Sequence, residues 1–127
     1  MRVFLDTNSL MLCFERRLDI FTEAKRVVPG KAELFVVEET LQELTHLAEK
    51  GEKLAIRQAA KLAIILIKQQ NLKRLRGFPK KSADDAILAR AGKEDYVLTQ
   101  DKELKARLKG KGVGVLAIRN KDHIIVG

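Results

Sequence analysis

An α/β fold, with a parallel sheet covered by helices on both faces, is what this sequence predicts, and three observations carry the prediction. Short apolar runs rich in β-branched and aromatic residues recur at 3–5, 34–37, 96–99 and 113–118. Longer stretches with apolar residues at helical spacing separate them, the alternation that builds parallel sheets through crossover connections. The first run, Val3-Phe4-Leu5, is closed abruptly by Asp6, Thr7 and Asn8. It fits a central strand buried on both faces, with an acid at the carboxyl edge where ligands bind in open parallel sheets.

Taken in order, Thr7, Asn8 or Ser9 is expected to cap a helix through Leu10, Met11, Leu12 and Phe14. A second helical pattern in Ile20, Phe21 and Ala24 stops at Pro29-Gly30. The strand at 34–37 leads into a helix over 38–50, whose apolar face is Leu41, Leu44, Leu47 and Ala48, and Gly51 ends it. The longest periodic segment, 53–70, is expected to pack across the sheet. A brief strand within 71–76 precedes a break at Gly77-Phe78-Pro79. Then follow a helix over 83–92, the strand at 96–99, a helix over 102–109 and a last parallel strand at 113–118. Residues 123–126 are a candidate edge strand after the Asn120-Lys121-Asp122 turn.

The 127 residues, 46% of them hydrophobic, suffice for one compact core, and 1–127 reads as a single domain. No run of about 18 apolar residues occurs, and the N-terminus lacks a charged segment leading into an apolar signal core. A soluble, cytoplasmic protein is therefore expected. Cys13 is the only cysteine, which excludes an internal disulfide or a cysteine-cluster metal site and leaves it as a small buried residue on the first helix. The net charge of +8, from 25 Lys and Arg against 17 Asp and Glu, points to a polyanionic partner. The same Lys-rich and Glu-rich surface would also suit a thermophilic source. Aromatics make up only 5%, so phosphate contacts rather than base stacking would have to dominate nucleic-acid binding.

The acids are the informative residues. In Lys81-Ser82-Ala83-Asp84-Asp85-Ala86, Ser82 and Asp85 form a capping box, which accounts for Asp85 structurally. Asp84 instead shares a helical stripe with Ile87, Leu88 and Ala91. A carboxylate on an apolar stripe needs a cation nearby, because unpaired burial is costly. Asp101 follows the strand at 96–99 by two residues, and its ordinary role would be a helix N-cap. Glu43 lies on the Leu44 and Leu47 side of its helix, with Glu38 and Glu39 close by; alone it reads as a solvated glutamate. Together, Asp6, Glu43, Asp84 and Asp101 are candidates to converge at one sheet edge as hard oxygen ligands for Mg²⁺ or Mn²⁺. Such ions orient a phosphodiester and lower the pKa of an attacking water.

Basic residues flank two of these acids: Lys73, Arg74, Arg76, Lys80 and Lys81 run up to Asp84, and Lys102, Lys105, Arg107, Lys109 and Lys111 follow Asp101. An acidic centre needs such a field to admit a phosphate backbone, although solvated lysines and arginines account for about half of them. Lys80, Lys81, Lys102 and Lys105 are the candidate RNA contacts. His46 and His123 have no ligand-like or catalytic spacing.

Four blocks resemble the PIN-domain nucleases: Val3-Phe4-Leu5-Asp6-Thr7-Asn8, Leu41-Gln42-Glu43-Leu44, Ala83-Asp84-Asp85-Ala86-Ile87-Leu88 and Val97-Leu98-Thr99-Gln100-Asp101-Lys102-Glu103-Leu104. Their order and spacing span nearly the whole chain. The resemblance implies a three-layer α/β/α domain with a central parallel sheet of four to five strands. It also implies a carboxylate cluster binding Mg²⁺ or Mn²⁺, endoribonucleolytic cleavage and homodimers. Asp6, Glu43, Asp84 and Asp101 take the acidic positions, with Asp6, Asp84 and Asp101 as metal ligands; Thr7, Asn8 and Thr99 match supporting polar positions, and Asp85 stands beside them. The Asp101-Lys102-Glu103-Leu104-Lys105 segment looks like PIN proteins related to small-subunit ribosomal RNA processing, and the small size looks equally like VapC-type toxins and their archaeal relatives. An antitoxin or a ribosome-assembly factor is the partner each reading implies. The alternative is a PIN-fold protein that binds RNA or a partner without cleaving. A haloacid-dehalogenase-like phosphatase would want an aspartate where Asn8 stands, and a response-regulator receiver would want one near Leu75-Arg76-Gly77.

Overall fold

A computed structural model describes residues 1–76, 81–120 and 123–127. Lys80, the expected break at Gly77-Phe78-Pro79, and Lys121 and Asp122 of the expected turn lie outside the described residues. Strand β1 (Arg2–Leu5) runs through the middle of the sheet, between β2 (Glu33–Val37) and β4 (Tyr96–Leu98). Beyond these lie β3 (Lys73–Leu75) on one side and β5 (Gly114–Arg119) and β6 (His123–Val126) on the other, giving the order β3-β2-β1-β4-β5-β6. Every pairing is parallel except β5 with β6. The expected four to five parallel strands are thus five, and the candidate edge strand adds a sixth in the antiparallel sense.

Alternation along the strands divides the core into two. Val3 and Leu5 of β1, with Leu34, Val36, Leu98 and Leu116, face α1 (Thr7–Arg16), α2 (Ile20–Val27), α3 (Glu38–Lys50) and α4 (Leu54–Gln69). Phe4, Phe35, Val37, Val97 and Val115 face α5 (Ala83–Arg90) and α6 (Lys102–Lys111) through Ala86, Ile87, Ala91, Leu104 and Leu108. Successive strand residues point to opposite faces, so the uninterrupted apolar run of β1 serves both layers, and three layers result. Phe4 is fully buried and sits in register with Phe35 and Val97, its ring centroid 5.7 Å from that of Phe35. The segment expected to cross the sheet, α4, packs chiefly on α3 and α1, presenting Ala59, Ala60, Ala63 and Ile67 to the core. Its small residues let the helix approach its neighbours closely.

Helix starts differ from expectation at one place that matters. Asp6, rather than Thr7, Asn8 or Ser9, is the N-cap of α1, accepting the Ser9 amide at 2.8 Å. Ser82 caps α5 and Asp101 caps α6, as their sequence contexts indicate. Helix α5 ends at Arg90, short of the expected 92, because Ala91 turns extended and the Gly92 amide bonds the Asp95 carboxylate at 2.7 Å. Asp95 is also gripped by Arg2, at 3.1 Å from Nε and 2.7 Å from Nη2, across the amino edge of β1 and β4. Cys13 is buried, and burial pushes its thiol up to about 11, in keeping with an inert packing role. No helix among the described residues is long and apolar enough to cross a membrane.

Candidate active site

Where β1 and β4 end at the carboxyl edge of the sheet, a cavity of about 120 Å³ opens. Asp6, Thr7 and Asn8 enter it from the start of α1, Glu43 from α3, Ser82, Ala83 and Asp84 from the start of α5, and Asp101 from the start of α6. All four acids singled out in the sequence therefore line one space, delivered by four different segments. Larger hollows exist elsewhere, one of about 1050 Å³ at the amino edge around Arg2 and Lys93; the acids lie at the opposite end of the strands.

Each acid is held by local structure. Asp6 is 3% exposed; its amide donates to the Leu98 carbonyl at 3.3 Å and its Oδ1 accepts from Ser9, whose hydroxyl in turn donates to the Leu98 carbonyl at 3.2 Å. Asp101 accepts the Leu104 amide at 2.8 Å through Oδ1, and its own amide donates to the Thr99 hydroxyl at 3.1 Å. Thr99, fully buried, also serves Asp6. Asp84 is half-buried in the first turn of α5, as its apolar stripe indicates. Glu43 is exposed as a residue but turns its carboxyl into the cavity.

The electrostatics are those of like charges crowded together. Burial, first of all, raises the Asp6 pKa above the usual carboxylate range; hydrogen bonds from Ser9 and Thr99 oppose the rise, and the Asp101 charge adds to it. Glu43 is raised by burial, then by Asp84 and Asp6, with Thr7 opposing. Asp84 is raised by burial, then by Asp6, Asp101 and Asp85, and the Arg107 guanidinium pulls the other way. The Thr7 hydroxyl faces Glu43, yet its buried Oγ1 has no hydrogen bond of ordinary geometry.

Other singled-out residues stand apart from the cavity. Asp85 is held below the usual carboxylate range by hydrogen bonds from Arg107 and Ser82; it bonds Arg107 Nη2 at 3.0 Å. Lys81 and Lys102 are exposed and Lys105 is half-buried, and none of the three lines the acid cavity. Ser82 was legible only as a cap, although its place on the cavity follows from being two residues before Asp84. Arg107 is legible in the sequence only as one of the basic residues after Asp101; the packing of α6 beside α5 is what sets it on Asp85.

A three-layer α/β/α domain with an acid-lined hollow at the carboxyl edge of its parallel strands defines a class before any relative is considered. The family described as a PIN-like domain matches residues 3–121, and the chain belongs to it. It is 31% identical, over 96% of its own length and 93% of the other, to Ribonuclease VapC4 of Methanocaldococcus jannaschii. Among solved structures it is similar to the PIN domain endonuclease Utp24, at 27% identity and a TM-score of 0.79, over 98% of this chain and 90% of that one. A domain of a functionally unknown protein from Methanocaldococcus jannaschii shares the fold, with a TM-score of 0.62 at 18% identity over 93% and 91% of the two chains.

Proposed function

We propose that the chain is a divalent-metal-dependent endoribonuclease whose reaction centre is the cavity lined by Asp6, Glu43, Asp84 and Asp101. The observation that carries the reading is the convergence of these four acids on one small space at the carboxyl edge of the sheet. Membership of the family and likeness to a named ribonuclease and a named endonuclease support it.

The donors suit a hard cation. Carboxylate oxygens and small hydroxyls are the ligands Mg²⁺ and Mn²⁺ prefer, burial and then mutual repulsion raise the pKa values of Glu43 and Asp84, and Thr7 Oγ1, facing Glu43, is buried with no hydrogen bond of ordinary geometry. Among the described residues, no group of three His, Cys, Asp or Glu side chains is arranged to hold an ion as it stands. The fit is thus one of donor chemistry. Asp6, Asp84 and Asp101 would hold the ion, with Glu43 completing the site. When bound, the cation neutralises the acids, orients the phosphodiester and makes an attacking water more acidic. Asp6 and Asp101 are fixed by their caps, Thr99 braces both, and Lys81, Lys102 and Lys105 supply a positive approach for the strand.

Residues 1–127 form one such domain, in a cytoplasmic homodimer acting as the toxin of a toxin-antitoxin pair or as an RNA-processing nuclease. The test is cleavage of a panel of structured and single-stranded RNAs by wild type and Asp6→Asn protein, with Mg²⁺, with Mn²⁺ and with a chelator. Internal cleavage that needs the metal and vanishes in the variant is expected. Equal cleavage by both proteins would reject the site; metal-independent RNA binding with no cleavage would favour the non-cleaving alternative.

A further inference from the structure

Among the described residues, none that lines the acid cavity is basic, so beyond the general field of Lys81, Lys102 and Lys105 a group at its rim is needed to hold a phosphate against the acids. We infer that Arg107 is that group: a phosphate-contacting residue parked on Asp85 at the edge of the cavity and free to move onto the RNA backbone. This rests on the nuclease reading above and names a residue through which substrate is held.

Position is the first argument. Arg107 lies six residues after Asp101 along α6, about 9 Å at helical rise, and helical side chains lean back toward the N-terminus. Its guanidinium reaches Asp85, the immediate neighbour of the cavity residue Asp84, with Nη2 3.0 Å from Oδ1. Its charge is felt at Asp84 as well.

Availability is the second. The bond to Asp85 occupies one of the five donors of the guanidinium, and the two side chains remain 43% and 41% exposed, a pairing that costs little to exchange. Other arginines with defined contacts are engaged away from the acids, Arg90 by the Arg76 carbonyl among them. Arg2 makes three hydrogen bonds, two to Asp95 and one to the Arg90 carbonyl, and lies against Phe4 and Phe35. Arg26 is held through both Nε and Nη2 by Glu23, and Arg57 bonds the Gly51 carbonyl. A planar fork with free N–H groups beside an acidic centre is the geometry that binds phosphate oxygens in pairs.

A purely structural clamp between α5 and α6 is the competing role, and the fold already has that clamp. Lys111 Nζ donates to the Leu88 carbonyl at 2.7 Å and approaches that of Ala89 at 3.4 Å, while Ile87, Ala91, Leu104 and Leu108 pack in the seam. Arg107 can therefore leave Asp85 without opening the helices.

The two roles separate in an experiment that needs no turnover. Binding of a fluorescent single-stranded RNA of mixed sequence is measured in chelator across a salt series, for wild type, Arg107→Ala, Arg107→Lys and Asp85→Ala, with thermal midpoints as a check on folding. Arg107→Ala should weaken binding about tenfold and flatten the log–log salt slope by about 0.7. Arg107→Lys should restore the slope but not the full affinity. Asp85→Ala, which frees Arg107, should bind as tightly as wild type or more tightly. Equal weakening by Arg107→Ala and Asp85→Ala, or binding by Arg107→Ala that matches wild type, would overturn the inference and leave the nuclease reading intact. Wild type that binds no RNA in chelator would overturn the inference alone, since the nuclease reading stands or falls on metal-dependent cleavage.

Discussion

Asp6 and Asp101 perform the same structural task on neighbouring segments: each opens a helix by accepting, through Oδ1 at 2.8 Å, the amide three residues on. Each also lines the acid cavity, so the same carboxyl serves the fold and the site. Asparagine caps a helix as well as aspartate does, whereas alanine does not. Asp101→Asn should therefore melt close to wild type, and Asp6→Asn, which removes a carboxyl raised by burial, no lower than wild type in chelator, while both lose metal-dependent cleavage. Asp101→Ala should lose cleavage and also about 1 kcal/mol of stability. Calorimetry alongside a cleavage assay checks this, and an Asn variant with intact activity would count against the assignment.

The crowding of the acids sets a pH dependence. Burial, then Asp6 and Asp101, raise Asp84 above its ordinary value. A carboxyl raised by folding destabilises the folded chain once ionised: the penalty is absent below the unfolded carboxylate range, grows as pH rises through the raised value, and is complete above it. In chelator at neutral pH, Asp84→Asn should melt above wild type, and the gap should close on acidification. Mg²⁺ or Mn²⁺ should reverse the order, since the ion stabilises only the protein that binds it well. A wild type that outlasts the variant in chelator at neutral pH would contradict this.

At the opposite edge, Asp95 is buried and Arg2 is its ion-pair partner, with side-chain exposures of 8% and 40%. Burial tends to raise the Asp95 pKa, but hydrogen bonds from Arg2 and the Gly92 amide prevail and hold it low. Arg2→Ala would strand that carboxylate and should cost about 2–3 kcal/mol, the desolvation penalty of an unsatisfied charged group. Urea unfolding measures it; Asp95→Asn in the same background should recover part of the loss.

Gly114 faces Tyr96 across β4 and β5. A Cβ there would come within 2.5 Å of Tyr96 Cδ2 and 2.6 Å of Cε2. Gly114→Ala should therefore destabilise by about 1–3 kcal/mol through overpacking. In a Tyr96→Ala background the same change should cost little, and a double-mutant cycle reports the coupling.

Much of this was legible in the sequence because it depends on local pattern. The strand ending at Asp6, the cap at Ser82 and the apolar stripe carrying Asp84 are all set by neighbours a few residues away, and the structure keeps them. Asp101 shows that two readings need not compete: it is the ordinary N-cap its context indicates, and it lines the cavity as well. Asp6 shows the reverse, since reading it as a strand end hid its role as the cap of α1. What the sequence withheld depends on packing between distant elements. Glu43 stood among other glutamates, and only the placement of α3 turns its carboxyl into the cavity. Arg107 meets Asp85 across 22 residues of chain, a distance at which periodicity carries no information.

The sheet order bears on how the chain comes to be active at all. β1 is made first, yet its neighbour β4 is contributed by residues far downstream: Arg2 grips Asp95 from 93 positions away, and Ser9 bonds the Leu98 carbonyl from 89. Such long loops close late, after local helices and the β1–β2 unit have had the chance to form. An N-terminal piece ending before β4 holds Asp6, Glu43 and Asp84 but neither the strand that braces Asp6 nor Asp101. During synthesis the acid pocket is therefore completed only once β4 and the start of α6 have been made, after most of the polypeptide has emerged.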